Sequence, residues 1–350
     1  MHYKISKLPF DFEIETKAVL KKTALARSAL AEMKGVASTI PNQNILITTL
    51  SLQEAKDSSA IENIITTQDD LYQSDEFTKN FKSIAAKEVH RYAKALRSAF
   101  ETIKQQEFIS SNQIIQIQEM IVDNSAGFRK LPGTTLKNEM TGEIVYTPPQ
   151  NYSEIVDLMN NLELFINDSL PCDWDPLVKL AVIHHQFESI HPFYDGNGRT
   201  GRILNVLYLV KKDLLSIPIL YLSRYINQNK AEYYNLLQKV RTDNSWEEWI
   251  LYILEGIEKT SLQTIKQITG IKELMQSHKQ TIRNESPKIY SQDLINNIFR
   301  HPYTKINFVM NDLNVSRKTA IRYLDELVRI KILSKFIIKS FNFTQRKITF

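Results

Sequence analysis

Cysteine, glycine and long apolar runs are all scarce in this chain, and each scarcity excludes something. A single cysteine among 350 residues, Cys172, leaves no partner for an internal disulfide and no multi-thiolate metal site. That fits a reducing compartment, and Cys172 itself is expected as a small packing residue. No apolar stretch approaches the ~18 residues of a membrane span, and Met1 to Phe12 lack a basic segment followed by an apolar core. A cytoplasmic location without membrane contact is expected. Glycine is held to 9 residues, about 2.6% against a usual share near 7%. Loops that require positive φ must therefore be few. What is present is ordinary for a globular protein: 43% apolar and 24% charged residues, enough for a large core. At roughly 150 residues per domain the length allows two or three domains.

Charge divides the chain unevenly. From Lys288 to the end there are 12 Lys/Arg against 4 Asp/Glu, net +8, whereas the preceding 287 residues carry 32 against 35, net −3. A basic tail on a mildly acidic body points to an anionic partner for the tail or to a solvated basic surface.

Apolar periodicity makes the body mainly α. Ile14, Ala18, Leu25, Ala29 and Met33 form one face of a helix expected to stop at Gly35. Ser51 and Glu54 have capping-box spacing for a new helix running through Glu62. Helical pattern follows over 77–106, 111–122, 152–166, 177–190, from Arg199 toward Leu215, 230–240 and 246–261, with a charged stretch to about Arg283. Between Gly127 and Pro149 two short extended runs surround Gly142, which predicts a β-hairpin ended by Pro148-Pro149. The polar segment Asn284-Glu285-Ser286-Pro287 coincides with the charge shift and is the expected linker.

Three of the nine glycines, Gly196, Gly198 and Gly201, fall within six residues. They lie in His191-Pro-Phe-Tyr-Asp-Gly-Asn-Gly-Arg-Thr-Gly-Arg202, a loop that opens into a helix. Free amides and the positive dipole end of such a helix attract anions, and glycine lets them come close. Gly196, Asn197 and Gly198 would cradle a phosphate, and Arg199 and Arg202 would clamp further ones. Asp195 supplies an oxygen for a Mg²⁺ that bridges phosphates, and a neutral His191 could take a proton from an attacking hydroxyl. Singly, His191 reads as well as a structural histidine, Asp195-Gly196 as a turn and the arginines as a solvated face. A metal-hydrolase set of His184, His185, His191 and Asp195 is opposed by the ~100° between adjacent helical side chains.

The whole string resembles the signature of the Fic (filamentation induced by cAMP) family, His-Pro-Phe-x-Asp/Glu-Gly-Asn-Gly-Arg-x-x-Arg, at every defined position. The resemblance implies a Fic-type helical bundle and transfer of AMP from ATP, with Mg²⁺ or Mn²⁺, to a protein hydroxyl. It implies His191 as general base, Asp195 as metal ligand, Asn197 and its flanking glycine amides on the α-phosphate, and Arg199 and Arg202 on the distal phosphates. Thr200 and Gly201 go with this nucleotide site. A hairpin flap that pairs with the target's backbone is implied as well; residues 134–147 fit it, or form an ordinary surface hairpin. Asn229, Tyr233 and Tyr234 match the region that contacts adenine, with core packing an equal reading of the tyrosines. Self-modification and a homo-oligomer are further expectations.

Ser58-Ser-Ala-Ile-Glu62-Asn63 resembles the family's inhibitory motif, Ser/Thr-x-x-x-Glu-Gly/Asn, in the class where the inhibitory helix is N-terminal. Ser58 and Glu62 share a helix face, and Glu62 would pair with Arg202 where the γ-phosphate should bind. The plainer alternative is a solvated surface glutamate.

In the tail, helices begin at Leu294, at Ile306 and after a capping Ser316. The third carries Arg317, Lys318, Arg322 and Arg329, and two strands follow at 331–339 and 344–350. This resembles a winged helix, whose partner would be DNA or protein. The expected organisation is an N-terminal helical region (1–110), a Fic catalytic core (111–284) and a winged-helix domain (285–350). The competing function is a DNA-binding regulator with a nucleotide-sensing or inert core.

Overall fold

The computed structural model describes residues 3–74, 81–138, 141–300, 303–337 and 344–347. Its centre is a pair of packed helices, α7 (Pro176–Ile190) and α8 (Asn197–Lys211). Residues 177–190 are all buried, as is nearly all of α8. The middle of α7, Leu180 to Ile183, is apolar on every side, and its buried polar groups find partners inside the bundle, as His184 does on Tyr233 and Gln186 on the Ser6 carbonyl. Around the pair lie α1 (Lys17–Ser38), α2 (Asn44–Ile61), α4 (Ile84–Gln106), α5 (Ser111–Val122), α6 (Tyr152–Ile166), α9 (Leu222–Gln228), α10 (Lys230–Asp243) and α11 (Trp246–Glu285). A short α3 (Gln68–Gln73) precedes α4. Among the described residues no helix is long and apolar enough to cross a membrane.

Several expected boundaries shift, each for a packing reason. The buried face of α1 is Val19, Thr23, Ala26, Ala29, Leu30, Met33 and Ala37, while Ala18 and Leu25 face solvent. Gly35 does not stop this helix; it lies inside it, and Thr39 forms the C-cap. Ser51 and Glu54 are no capping box either. They sit buried in mid α2, because Ile45, Leu46 and Leu50 extend the apolar face seven residues upstream. Glu54 instead accepts hydrogen bonds from Tyr92 and Ser223. The helix expected from Phe77 begins at Ile84, capped by Ser83, and 75–80 lie outside the described residues.

The hairpin is present as β1 (Leu136–Lys137) and β2 (Ile144–Tyr146), antiparallel, with Leu136 opposite Tyr146. Gly142 takes φ +73° in its turn, and residues 139–140 at the tip lie outside the described residues.

The polar segment at 284–287 is not a loose linker. The stretch from 246 to 285 is one 40-residue helix, about 60 Å long at 1.5 Å per residue. Beyond it Ser286 is buried, donates to Glu326 (2.6 Å) and accepts from Arg329 (3.1 Å). The C-terminal unit comprises α12 (Gln292–Arg300), β3 (Tyr303–Lys305), α13 (Ile306–Leu313), α14 (Arg317–Arg329), β4 (Ser334–Ile337) and β5 (Thr344–Lys347), with sheet order β3-β5-β4. Its apolar cluster joins Leu294, Ile298, Val309, Leu324 and Leu327 to Met275 and Ile282 of α11 and Ile45 of α2. This core therefore recruits residues from before position 285. The first wing strand begins at Ser334 rather than 331, since Ile332 and Leu333 are buried in the turn before it; 338–343 and 348–350 lie outside the described residues.

Candidate active site

Helix α7 ends on His191, whose φ of +48° turns the chain sharply out of the helix. The loop that follows is tied from inside. The buried Asn197 side chain accepts from the Phe193 amide (2.9 Å) and donates to the Phe193 carbonyl (2.8 Å). Gly196, at φ +80°, forms the left-handed N-cap of α8, and its amide donates to the Asp195 carboxylate at 2.6 Å. A Cβ here would lie 2.8 Å from Val122, so backbone shape and space both demand glycine. Gln118 of α5 holds the turn by donating to the Asp195 carbonyl (3.0 Å). No side chain caps α8, and the amides of its first turn have no intrahelical acceptor, which makes the helix start an anion site.

Two buried guanidinium groups flank it. Arg199 donates to Glu88 of α4 at 2.9 Å and lies 3.5 Å from Asp195. Arg202 donates through Nε to the Ser58 hydroxyl (2.7 Å), and through Nη2 to the Ser58 carbonyl (3.0 Å) and Glu62 Oε1 (2.8 Å). The Glu62 side chain stays 36% exposed, so its end of this pair opens to solvent. Burial pushes its carboxyl up, but Arg202, aided by Arg199 and His191, outweighs that and holds it below the usual carboxylate range. Asn63 follows at φ +60°, and Ile64 donates back to the Ser59 carbonyl, the left-handed exit that asparagine or glycine tolerates. Lys230 donates to Asn63 at 3.1 Å. A Cβ on Gly198 would stand 2.2 Å from Glu62 Oε1, so this glycine makes room for the carboxylate.

At the loop's other end burial, together with the nearby Arg129 and Arg241 charges, pushes the His191 imidazole down to about 4. It is neutral at physiological pH, the state a base needs. Arg129, almost wholly buried, donates to the carbonyls of His191 (2.8 Å), Ile190 (3.4 Å) and Pro149. Its own amide donates to the Pro192 carbonyl. The Tyr146 hydroxyl donates to the Ser189 carbonyl at 2.8 Å. The hairpin and the loop after α7 are thereby fastened together. Tyr194, half exposed, accepts from the amides of Lys130 and Leu131.

His191, Asp195, Gly196, Gly198, Arg199 and Arg202 thus meet Ser58, Glu62 and Asn63 at one cleft. Other expected site residues do different work. The Asn197 side chain is spent on the loop, so the amide of Asn197 and not its carboxamide faces an anion. Thr200 is buried within the first turn of α8, and Gly201 serves helix packing: a Cβ there would lie 2.9 Å from Phe187 and 2.8 Å from Glu188. Tyr233 belongs to the core, its hydroxyl sharing a 2.9 Å hydrogen bond with His184, and the Asn229 side chain donates to the Tyr225 carbonyl. Tyr234 stays half exposed. His184 and His185 turn to separate partners, Tyr233 and Leu237, which disposes of the shared-metal alternative. Arg129, Gln118 and Glu88 carry no sequence signal, being single residues on helices or loops far from the string, and the buried Glu188, three residues before His191, falls outside its pattern.

Among the described residues no three His, Cys, Asp or Glu side chains gather as a metal cluster. Asp195 offers one well-exposed carboxylate, which suits a divalent cation arriving on a triphosphate, since Mg²⁺ takes one or two carboxylates and fills its shell with phosphate and water.

Family models match in three consecutive parts: Fic/DOC family N-terminal over 20–101, Fic/DOC family over 108–209, and the C-terminal domain of a SoFic-like protein adenylyltransferase over 274–340. The chain belongs to the Fic family. A probable protein adenylyltransferase of Aquifex aeolicus is 32% identical over 143 residues, 41% of each chain. The protein adenylyltransferase Fic of Aedes aegypti is 24% identical over 45% of this chain and 30% of its own length. The chain therefore spans less than half the length of these curated relatives. A Fic family protein from Desulfovibrio desulfuricans shares the fold over 98% of both chains (TM-score 0.61, 19% identity). Fic-1 from C. elegans shares it over 71% of this chain and 72% of its own (TM-score 0.54, 20% identity).

Proposed function

We propose that this Fic protein transfers AMP from Mg·ATP to a serine, threonine or tyrosine hydroxyl of a protein, itself included, and that Glu62 holds the reaction in check. One observation carries the reading: a buried, neutral imidazole stands at one end of a tied loop whose other end is an uncapped helix start flanked by two buried guanidinium groups. His191 takes the acceptor proton as the hydroxyl oxygen attacks the α-phosphorus. The bond to the bridging oxygen breaks, and diphosphate leaves with the bond's electron pair. The cation on the phosphates offsets their charge. The protein's part is positioning and charge stabilisation by the amides of α8, Arg199 and Arg202. Glu62 occupies the Arg202 fork that a terminal phosphate requires, so nucleotide and brake compete for one partner. The exposed Ile144 and Val145 of β2 beside the loop suit an extended target segment laid along the hairpin. An ATP donor agrees with a cytoplasmic location.

The test uses ATP labelled on the α or the γ phosphate. Glu62→Gly is expected to raise protein-bound α label at least tenfold over wild type, and His191→Ala to abolish it, with no γ label bound in any protein. Incorporation of γ label, or equal labelling by wild type and Glu62→Gly, contradicts the reading.

A second activity is favoured at the C-terminal unit, as duplex DNA binding through α14. Arg317, Lys318 and Arg322 are exposed, and among the described residues no carboxylate lies within ion-pair distance of them. Arg329 is not part of this surface, being engaged by Glu326 and Ser286.

A further inference from the structure

The two arginines of the cleft are held differently. Arg202 is taken up on Nε and Nη2 by groups of α2 and its cap. Arg199 is held less completely: Nη1 donates to Glu88 Oε2 at 2.9 Å, Nη2 makes only a long 3.5 Å ion pair with Asp195 Oδ1, and its buried Nε has no partner. Asp195 precedes the Gly196 cap of α8 and its carboxylate already lies within ion-pair distance of Arg199, so a small shift of the guanidinium would close the pair. A closed pair at this spot would place a guanidinium on the oxygens that a cation needs. What opposes closure is Glu88, which reaches in from α4 and is itself only partly exposed (27%).

Building on the nucleotide-transfer reading, we propose that Glu88 is a positioning residue: it limits Arg199 to a long contact with the Asp195 carboxylate and so preserves that carboxylate for a phosphate-bound divalent cation. Held by Nη1, Arg199 still presents Nη2 and Nε to an arriving phosphate. Glu88 touches neither substrate nor metal and acts through Arg199.

Nucleotide binding, measured by calorimetry in the Glu62→Gly protein, tests this. ATP is titrated once with Mg²⁺ and once with a chelator. Adding Glu88→Gln should weaken Mg·ATP on the order of tenfold, the usual scale for losing a group that orients a metal ligand. Metal-free ATP should bind at least as well as before. Glu88→Asp keeps the charge with a shorter reach and should lie between. In Arg199→Ala protein the effect of Glu88→Gln should vanish. Equal weakening of both ATP forms marks a merely structural role and overturns the proposal, as does no weakening of either. If the Glu62→Gly protein itself binds neither form, the nucleotide reading falls first and takes this one with it.

Discussion

A few atoms decide whether this cleft can exist. Gly198 and Gly201 look alike in the sequence, yet the first admits the Glu62 carboxylate and the second lets α8 lie against the Phe187 ring. Adding a methyl at the second site forces a rigid ring and a buried carboxylate apart, so Gly201→Ala should cost about 1–3 kcal/mol, read as a lowered melting temperature. Asn197 is a loop tie, so Asn197→Ala should lose both bonds to Phe193, about 1 kcal/mol each, and free the turn that aims His191. Its transfer rate should drop at least tenfold while the protein still melts cooperatively. A melting curve unchanged by the first substitution, or a rate unchanged by the second, would contradict these roles.

Among elements, the hairpin is stabilised by what it is fastened to, since two strands of two and three residues are marginal alone. Tyr146→Phe removes the bond to the Ser189 carbonyl and should cost about 1 kcal/mol while raising protease cleavage within 134–147. Unaltered cleavage would show that Arg129 alone suffices. The helical elements were legible wherever one apolar face ran cleanly between polar ends, as in α5, with its Ser110–Gln113 capping box, and in the uncapped α6, whose bounds match the expected 111–122 and 152–166. They were misread where tertiary burial overrode a local signal: Gly35 inside α1, and Ser51 and Glu54 inside α2. The catalytic string was legible because its residues lie close together in sequence. Arg129 and Glu88 were not, because only folding brings them within 3 Å of the loop and its helix.

For the molecule as a whole, buried titratable groups set the response to acid. Burial pushes His184 down to about 3, His191 to about 4 and His185 well below its ordinary value. It pushes Glu54 and Glu188 up to about 7. Between about pH 6.5 and 4.5 the unfolded chain therefore binds three protons on these imidazoles that the folded chain refuses. The folded chain binds two on the glutamates that the unfolded chain lacks. One net proton favours unfolding, so these five groups lower stability progressively as the pH falls across that window. Melting temperatures measured from pH 7 to 5 should fall gently, and Glu188→Gln should steepen the fall by removing one opposing proton. A rise on acidification would contradict the assignment. At the distal end, gel shifts with duplex DNA should weaken steeply with salt, and replacing Arg317 and Lys318 by alanine should flatten that slope by about two. A salt-independent shift would speak for a protein partner.

Helix α2 spans 18 residues, about 27 Å. Near its start Ile45 is wedged in the C-terminal core, and just past its end Glu62 grips Arg202. One stiff rod is thus seated in two sockets. Between the C-terminal core and the carboxylate on Arg202 there runs a single stretch of helical hydrogen bonds, with no loop or hinge to take up slack.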